Sequence, residues 1–172
     1  MPPQQPHSRH QQGIALAGVG RFALTVQAHN ELWIRAPAGR IFALAAEVER
    51  WPEWLPHYRW VEVLERKGNV KLVAMSASRD GIPVSWRAVQ VLDPDGPTIR
   101  FHHVKGITRG MAVEWSFREQ RGGTLVAIDH QLRLRWPLVG DWIAERIIGP
   151  YFVEHIAGQT LRRIKHLAEA GA

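Results

Sequence analysis

From Tyr58 to Trp136 the chain repeats one pattern, an apolar run followed by a turn signal. The turns are Lys67-Gly68-Asn69, Arg79-Asp80-Gly81, Pro94-Asp95-Gly96-Pro97, Lys105-Gly106 and Arg121-Gly122-Gly123. Asp-Gly and Gly-Gly supply the positive backbone angles of tight hairpins. Five turns between six runs predict six successive strands in an antiparallel meander. Alternation is cleanest in Val84-Ser85-Trp86-Arg87-Ala88 and Met111-Ala112-Val113-Glu114-Trp115-Ser116-Phe117. Each has one apolar side, so the sheet buries one face, and Glu114 and Arg87 point away from it.

The flanks read differently. Residues 25–35 form a first strand, strongest at Leu32-Trp33-Ile34. Pro37 opens a helix, and Ile41, Leu44, Ala45 and Val48 make its apolar stripe. Pro52 stops that helix, and Trp54-Leu55 suits a short second one. Leu138 to Ala170 is a long helix with Ile143, Ile147, Ile156, Ile164 and Leu167 on its buried side; Gly149-Pro150 should kink or split it. The fold class is therefore α+β: a curved antiparallel sheet of about seven strands wrapped around a long C-terminal helix, with two short helices after the first strand. One helix is too narrow to fill such a sheet, so an apolar cavity between them is expected.

Residues 1–12 are proline- and glutamine-rich and read as a disordered tail. Residues 13–24 read as a loose lead-in rather than a secretory signal, because the charged start is weak and the apolar core short. Residues 25–172 are then one ligand-binding domain, and 172 residues are hardly enough for two. The chain has no cysteine, which removes disulfides and thiol chemistry and favours the cytoplasm. Its formal charge is +6. The basic residues are scattered, with Arg133/Arg135 and Arg162-Arg163/Lys165 the densest groups, so they read as a solvated face and not a nucleic-acid site. The favoured state is a monomer.

Candidate chemistry gathers around Trp51-Pro52-Glu53-Trp54-Leu55-Pro56-His57-Tyr58-Arg59-Trp60. This aromatic corner reads as the mouth of the cavity. Trp51, Trp54, Trp60, Trp86 and Trp115 either stack on a flat ligand or pack in the core. Trp86 is the best placed, since Val84 and Ala88 on its face leave room. Phe101, Val113, Ile147 and Phe152 complete the apolar walls. Tyr58, Gln90 and His103 are the polar candidates. Tyr58 either donates a proton or anchors a carbonyl, or else sits at the rim with its hydroxyl in water. His103 is either a satisfied core histidine or a polar contact in the pocket. On the strand 124–135, Asp129 and Gln131 share one face and His130 shares the other with Val126, Ile128 and Leu132; either face could look inward. His102 and His103 point opposite ways and no metal-binding spacing occurs, so neither metal nor cofactor is expected.

The element order, with Arg50-Trp51-Pro52-Glu53, Tyr58, Val61-Glu62-Val63-Leu64-Glu65-Arg66, Val84-Ser85-Trp86, Val91-Leu92-Asp93-Pro94, Val113-Glu114-Trp115-Ser116-Phe117 and Gly122-Gly123-Thr124, resembles the START-like helix-grip (SRPBCC) superfamily. It is most similar to the polyketide cyclase/dehydrase and coenzyme Q-binding branch, over about residues 28–168. The resemblance implies a helix-grip fold that holds lipids, quinones or polyketides. Trp51, Tyr58 and Trp86 match cavity aromatics of the aromatase/cyclases. Those enzymes also carry a serine and an arginine two and four residues after the wall tryptophan, where this chain has Ala88 and Gln90. Neutral glutamine cannot stabilise an enolate as arginine does. The expectation is thus binding, and transfer, of a hydrophobic small molecule. A polyketide cyclase or dehydratase with Tyr58 as its catalytic residue is the alternative. A weak peripheral membrane contact through the basic last helix and exposed tryptophans is a third reading.

Overall fold

The computed structural model describes residues 24–79, 81–134 and 150–171. The tail and lead-in readings for residues 1–23, and the first part of the expected long helix, lie outside the described residues.

Seven strands form one antiparallel sheet. β1 is Leu24–Ile34, β2 Tyr58–Lys67, β3 Val70–Arg79, β4 Ile82–Asp93, β5 Thr98–Gly106, β6 Ala112–Gln120 and β7 Gly123–Leu134. Their order is β1-β7-β6-β5-β4-β3-β2. The six-strand meander follows the turn signals, and the first strand closes onto the last with Leu24 opposite Leu134 and Ile34 opposite Thr124. Gly106 shows why one turn residue is fixed. Its φ is +100°, and a Cβ there would lie 2.6 Å from the Ser85 carbonyl oxygen and 2.9 Å from Trp86 Cα. Only glycine lets β5 pass this close to the Trp86 backbone.

α1 is Ala38–Ala46, with Pro37 just before it at the N-cap. Pro52 does not end this helix. Glu47 breaks it with a ψ of 60°, a 3₁₀ turn follows at Val48–Arg50, and α2, Trp51–Trp54, then begins with Pro52 in its first turn. Proline costs nothing there because those backbone N–H groups have no intrahelical partner anyway. α3 is Pro150–Ala170. It lies against β1 and α1 and buries Ile156, Ala157, Thr160, Leu161, Ile164 and Ala168, a helical stripe.

The core lies between the concave sheet face and these helices. Ile34, Ile41, Val48, Leu55, Val73, Ile99, Val126, Ile128 and Ile164 are all essentially sealed from water. Alternation places Met111, Val113, Trp115 and Phe117 inside. Glu114 faces out, bonded to Arg100 at 2.8 Å. Among the described residues, no helix is long and apolar enough to cross a membrane.

Candidate functional site

One hollow opens between the sheet and α3. Its lining comes from almost every element: Trp51 from α2, Tyr58 from β2, Met75 from β3, Trp86 from β4, Phe101 and His103 from β5, Met111 and Thr108 from the β5–β6 turn, Val113 and Trp115 from β6, Ile128 and His130 from β7, and Ile156, Ala157 and Thr160 from α3. The volume is only about 70 Å³. Pockets for drug-sized ligands run roughly 300–1,000 Å³. The large greasy cavity expected from the sheet is thus mostly filled by its own aromatic and methionine side chains.

The aromatics form a box. Trp51 and Tyr58 meet edge to face at 4.8 Å, with Trp115 at 6.1 Å and Phe101 at 6.3 Å from Trp51. Tyr58 also meets Trp86 at 6.4 Å. Trp51 is 3 % exposed and donates its indole N–H to the Leu44 carbonyl at 3.3 Å, so it is part of the interior and not a rim. Tyr58 is buried too, so its hydroxyl is not in water. Burial pushes the phenol pKa above its ordinary value, and a hydrogen bond with Thr160 opposes this.

Two histidines border the same space, and a third stands behind its wall. His103 stacks on Trp86 with rings 5.6 Å apart and 7° from parallel, and its Nδ1 pairs with the Thr108 hydroxyl at 2.7 Å. Burial, aided by His130 and His102, brings its pKa down to about 3. His130 is brought to about 4 by burial, which Asp129 partly opposes, and its Nδ1 is buried without a hydrogen-bond partner among the described residues. His57 stands behind Tyr58, 4.9 Å away, and bonds Thr160 at 2.9 Å. Burial first, then His155, lowers it to about 4. All three rings are therefore neutral near pH 7, each able to donate one hydrogen bond and accept another. An apolar box with such groups on its walls can seat a flat molecule and meet its oxygens. Among the described residues, no group of three or more His, Cys, Asp or Glu is placed to hold a metal ion.

Of the sequence candidates, Trp51, Tyr58, Trp86, Phe101, His103, Val113 and Trp115 border the hollow. Trp54, Trp60, Val84, Ala88 and Gln90 are not in its lining, which corrects the expectation for them. Trp60 is 44 % exposed because the β2–β3 register slips between Tyr58 and Trp60. A bulge flips side-chain parity, so residues that should share a face do not. Trp54 joins the short helix to α3: its carbonyl accepts from Arg163 Nε at 2.9 Å, and Arg50 sits 5.3 Å over its ring. Val84 and Ala88 face inward but are packed over. Gln90 is fully buried under α1, where Nε2 donates to the Ala46 carbonyl at 3.2 Å. Ile147 lies outside the described residues, and Phe152 falls in the first turn of α3, where no side chain is described.

Sequence reasoning passed over Met75, Thr108, Thr160 and His57, and left His130 undecided. Its signal was present: Val126, Ile128 and Leu132 outweigh Leu125 and Ala127 in apolar bulk, and their face looks in. Lys71 had no signal at all. It is 4 % exposed and reaches the Ala46 carbonyl at 3.1 Å and Glu49 at 2.9 Å.

The sheet, its long helix and the aromatic box between them define a START-like helix-grip protein. The chain belongs to the polyketide cyclase / dehydrase and lipid transport family, whose model matches residues 34–146. It is 31% identical over 100 residues to a putative polyketide cyclase of Streptomyces halstedii, covering 56% of this chain and 92% of that one. It is 33% identical over 105 residues to the actinorhodin polyketide synthase bifunctional cyclase/dehydratase of Streptomyces coelicolor, covering 59% of this chain and 33% of that longer protein. In fold it is similar to the Zhui aromatase/cyclase from a Streptomyces species, with a TM-score of 0.75, 20% identity and 84% and 94% of the two chains covered. A STAR-related lipid transfer protein from Xanthomonas axonopodis gives a TM-score of 0.62 at 14% identity, covering 91% and 99%.

Proposed function

We propose that this domain binds a flat, oxygen-bearing polyketide-type molecule in the hollow and promotes its cyclisation or dehydration there. The observation that carries this is the set of neutral polar groups, Tyr58, His103 and His130, on the walls of an otherwise aromatic box. A plain lipid carrier needs no such set. The named relatives support the reading, since two are called polyketide cyclases or cyclase/dehydratases. Binding requires the box to widen. Met75 and Met111, both in its wall, are the side chains best able to yield, being unbranched and soft. Apolar burial then supplies affinity at about 25 cal/mol per Å² of apolar surface. Tyr58 is the group that touches the reacting oxygen.

A carrier function for the same ligand class is the second reading, supported by Ala88 and Gln90 standing where the aromatase/cyclases have serine and arginine. One experiment separates the two. The protein is incubated with a poly-β-ketone released from a minimal ketosynthase, and both bound and released compounds are identified by mass spectrometry. The enzyme reading expects a dehydrated or ring-closed product, with turnover reduced about 100-fold in Tyr58→Phe. A ligand recovered unchanged from the protein, at any chain length, would leave only the carrier. No bound compound at all would remove both.

A further inference from the structure

His103 is held by two neighbours that leave one end of its ring free. It lies face to face with Trp86, ring centres 5.6 Å apart and planes 7° from parallel, which fixes the plane of the imidazole. Its Nδ1 meets the Thr108 hydroxyl at 2.7 Å. The β5–β6 turn delivers that hydroxyl through main-chain bonds. Gly110 N donates to the His103 carbonyl at 2.8 Å, His103 N to the Met111 carbonyl at 2.9 Å and Met111 N to the Thr108 carbonyl at 3.0 Å. Thr108 is 4 % exposed, and Nδ1 is the one partner its hydroxyl has among the described residues. A buried hydroxyl needs an acceptor for its single proton, so Thr108 donates and the Nδ1 lone pair accepts. With a pKa of about 3 the ring is neutral near pH 7, so its own hydrogen sits on Nε2. Nε2 is the nitrogen farther from the β5 backbone, on a ring that borders the hollow, and among the described residues it has no hydrogen-bond partner.

We infer that Thr108 sets His103 as a hydrogen-bond donor whose Nε2–H receives a ketone oxygen of the bound ligand. The inference rests on the reading of the hollow as a polyketide-type site, and it narrows the ligand to one that presents a carbonyl at the Trp86 end. Ala88 supports it. That residue stands where the aromatase/cyclases have serine, and it lies directly opposite His103 on the β4–β5 ladder. Its methyl group offers no hydroxyl to compete for the ring. Gln90, in the place of the arginine, is turned to the Ala46 carbonyl. The donor this chain offers a carbonyl thus comes from β5 and not from β4. It is neutral, so it meets a ketone without the cost of burying a charge. In the opposite tautomer Nε2 would be a bare acceptor and would repel the same oxygen. Thr108 is a positioning residue that acts through His103, and Tyr58 stays free for the reacting oxygen.

Nitrogen NMR of isotope-labelled histidine reads the tautomer directly. In the ligand-free protein, hydrogen on Nε2 and a bare Nδ1 are expected for His103. Thr108→Ser should keep that pattern, and Thr108→Val should give a mixture. The ligand test uses two molecules of nearly one shape, 1-tetralone and the hydrocarbon tetralin, which differ by a ketone. The ratio of their affinities within each variant cancels any general change in the hollow. Relative to wild type, that ratio should shift about tenfold against the ketone in His103→Phe, which keeps the flat ring on Trp86. It should shift by a smaller factor in Thr108→Val and stay near wild type in Thr108→Ser. The infrared carbonyl stretch of bound 1-tetralone should lie lower in wild type than in His103→Phe. Hydrogen on Nδ1 in the wild type, or an unchanged ratio in His103→Phe, would overturn the inference and leave the binding reading standing. If neither molecule binds, the inference falls together with that reading. If the ratio behaves as expected while no poly-β-ketone is converted, the cyclase reading alone falls.

Discussion

The concave face carries two polar clusters, and they are aimed at different targets, one at a helix end and one at the hollow. Under the end of α1, Lys71 pairs with Glu49, and Lys71 and Gln90 both donate to the Ala46 carbonyl, with Gln90 Oε1 buried and unpartnered among the described residues. At the other end, Tyr58, His103 and His130 face the hollow, and His130 keeps a buried nitrogen without a partner. The first cluster neutralises a helix C-terminus, where the unpaired carbonyls of α1 attract a cation. In the second the unmet group belongs to a ring that borders the hollow, where a bound molecule can reach it and offset the cost of its burial. A polar residue in a family's active-site position can thus belong to the frame, while His103 and His130, which match no family signature, line the hollow.

The sharpest way to break this contrast is to restore the missing arginine. Gln90 lies directly opposite Lys71 across the β3–β4 ladder. Gln90→Arg would bury a second cation against the first, with only Glu49 between them and Arg66 already drawing on that carboxylate. The loss should be about 3–5 kcal/mol in urea unfolding, and Lys71→Leu in the same chain should recover most of it. A stable, active Gln90→Arg single variant would show that Gln90 belongs to the site after all.

Between pH 7 and pH 5 acid should spare the Lys71–Glu49 pair, whose carboxylate is held below its ordinary pKa. It should act on the buried histidines: those of the hollow, and His57 behind it at about 4, which adds to the same loss. His103 and His130 have folded pKa values of about 3 and about 4, below the ordinary 6.5. Between these values the unfolded chain holds more protons, so their contribution is complete above pH 6.5 and drains away as pH falls toward 4. Each histidine is worth up to about 1.4 kcal/mol per pH unit in that window, before water entering the hollow weakens it. From pH 7 to pH 5 the stability should drop by about 3 kcal/mol, and His130→Phe should flatten that slope. A flat profile in the wild type would mean that the rings are already solvated.

Lys71→Met is a milder test of the closed cluster. Gln90 still reaches Ala46 and Arg66 still reaches Glu49, so only part of the arrangement is lost. A cost of about 2 kcal/mol is expected, with any turnover unaffected. A catalytic defect larger than the stability defect would tie the two clusters together.

Much of this contrast was written in the residue pattern, and some could not be. Six strands and the inward set Met111, Val113, Trp115 and Phe117 follow from turn residues and a period of two, since each face of a strand sees one environment along its length. Trp60 escaped because a bulge is an extra backbone residue, with nothing in side-chain polarity to announce it. Gln90 escaped because its partner is the main-chain carbonyl of Ala46, an atom every residue type provides. Lys71 gave no signal for the same reason, since it too reaches that carbonyl. Pro52 carried the right message at the wrong end, a helix boundary that turned out to be a beginning. Local chemistry thus revealed elements and facing, while pairings between distant segments needed three dimensions.

The smallest expected effect is on the outer face, where histidine behaves in the reverse sense. Asp129 precedes His130 on β7 and so points outward, pairing with His29 Nδ1 at 2.6 Å. The hydrogen bond that the ring donates to Asp129, against some burial, raises the His29 pKa above 6.5. The charged ring therefore adds stability that is complete below pH 6.5 and fades as pH climbs through the raised value. Both partners are open to water, 36% and 57% exposed in their side chains, so the pair is worth about 0.5 kcal/mol. His29→Gln should cost that much at pH 5.5 and almost nothing at pH 8.5, and added salt should erase the difference. The acid loss assigned to His103 and His130 should appear slightly larger in this variant, because the outer pair no longer offsets it. Should the slope shrink instead, the acid sensitivity would belong to the surface and not to the hollow.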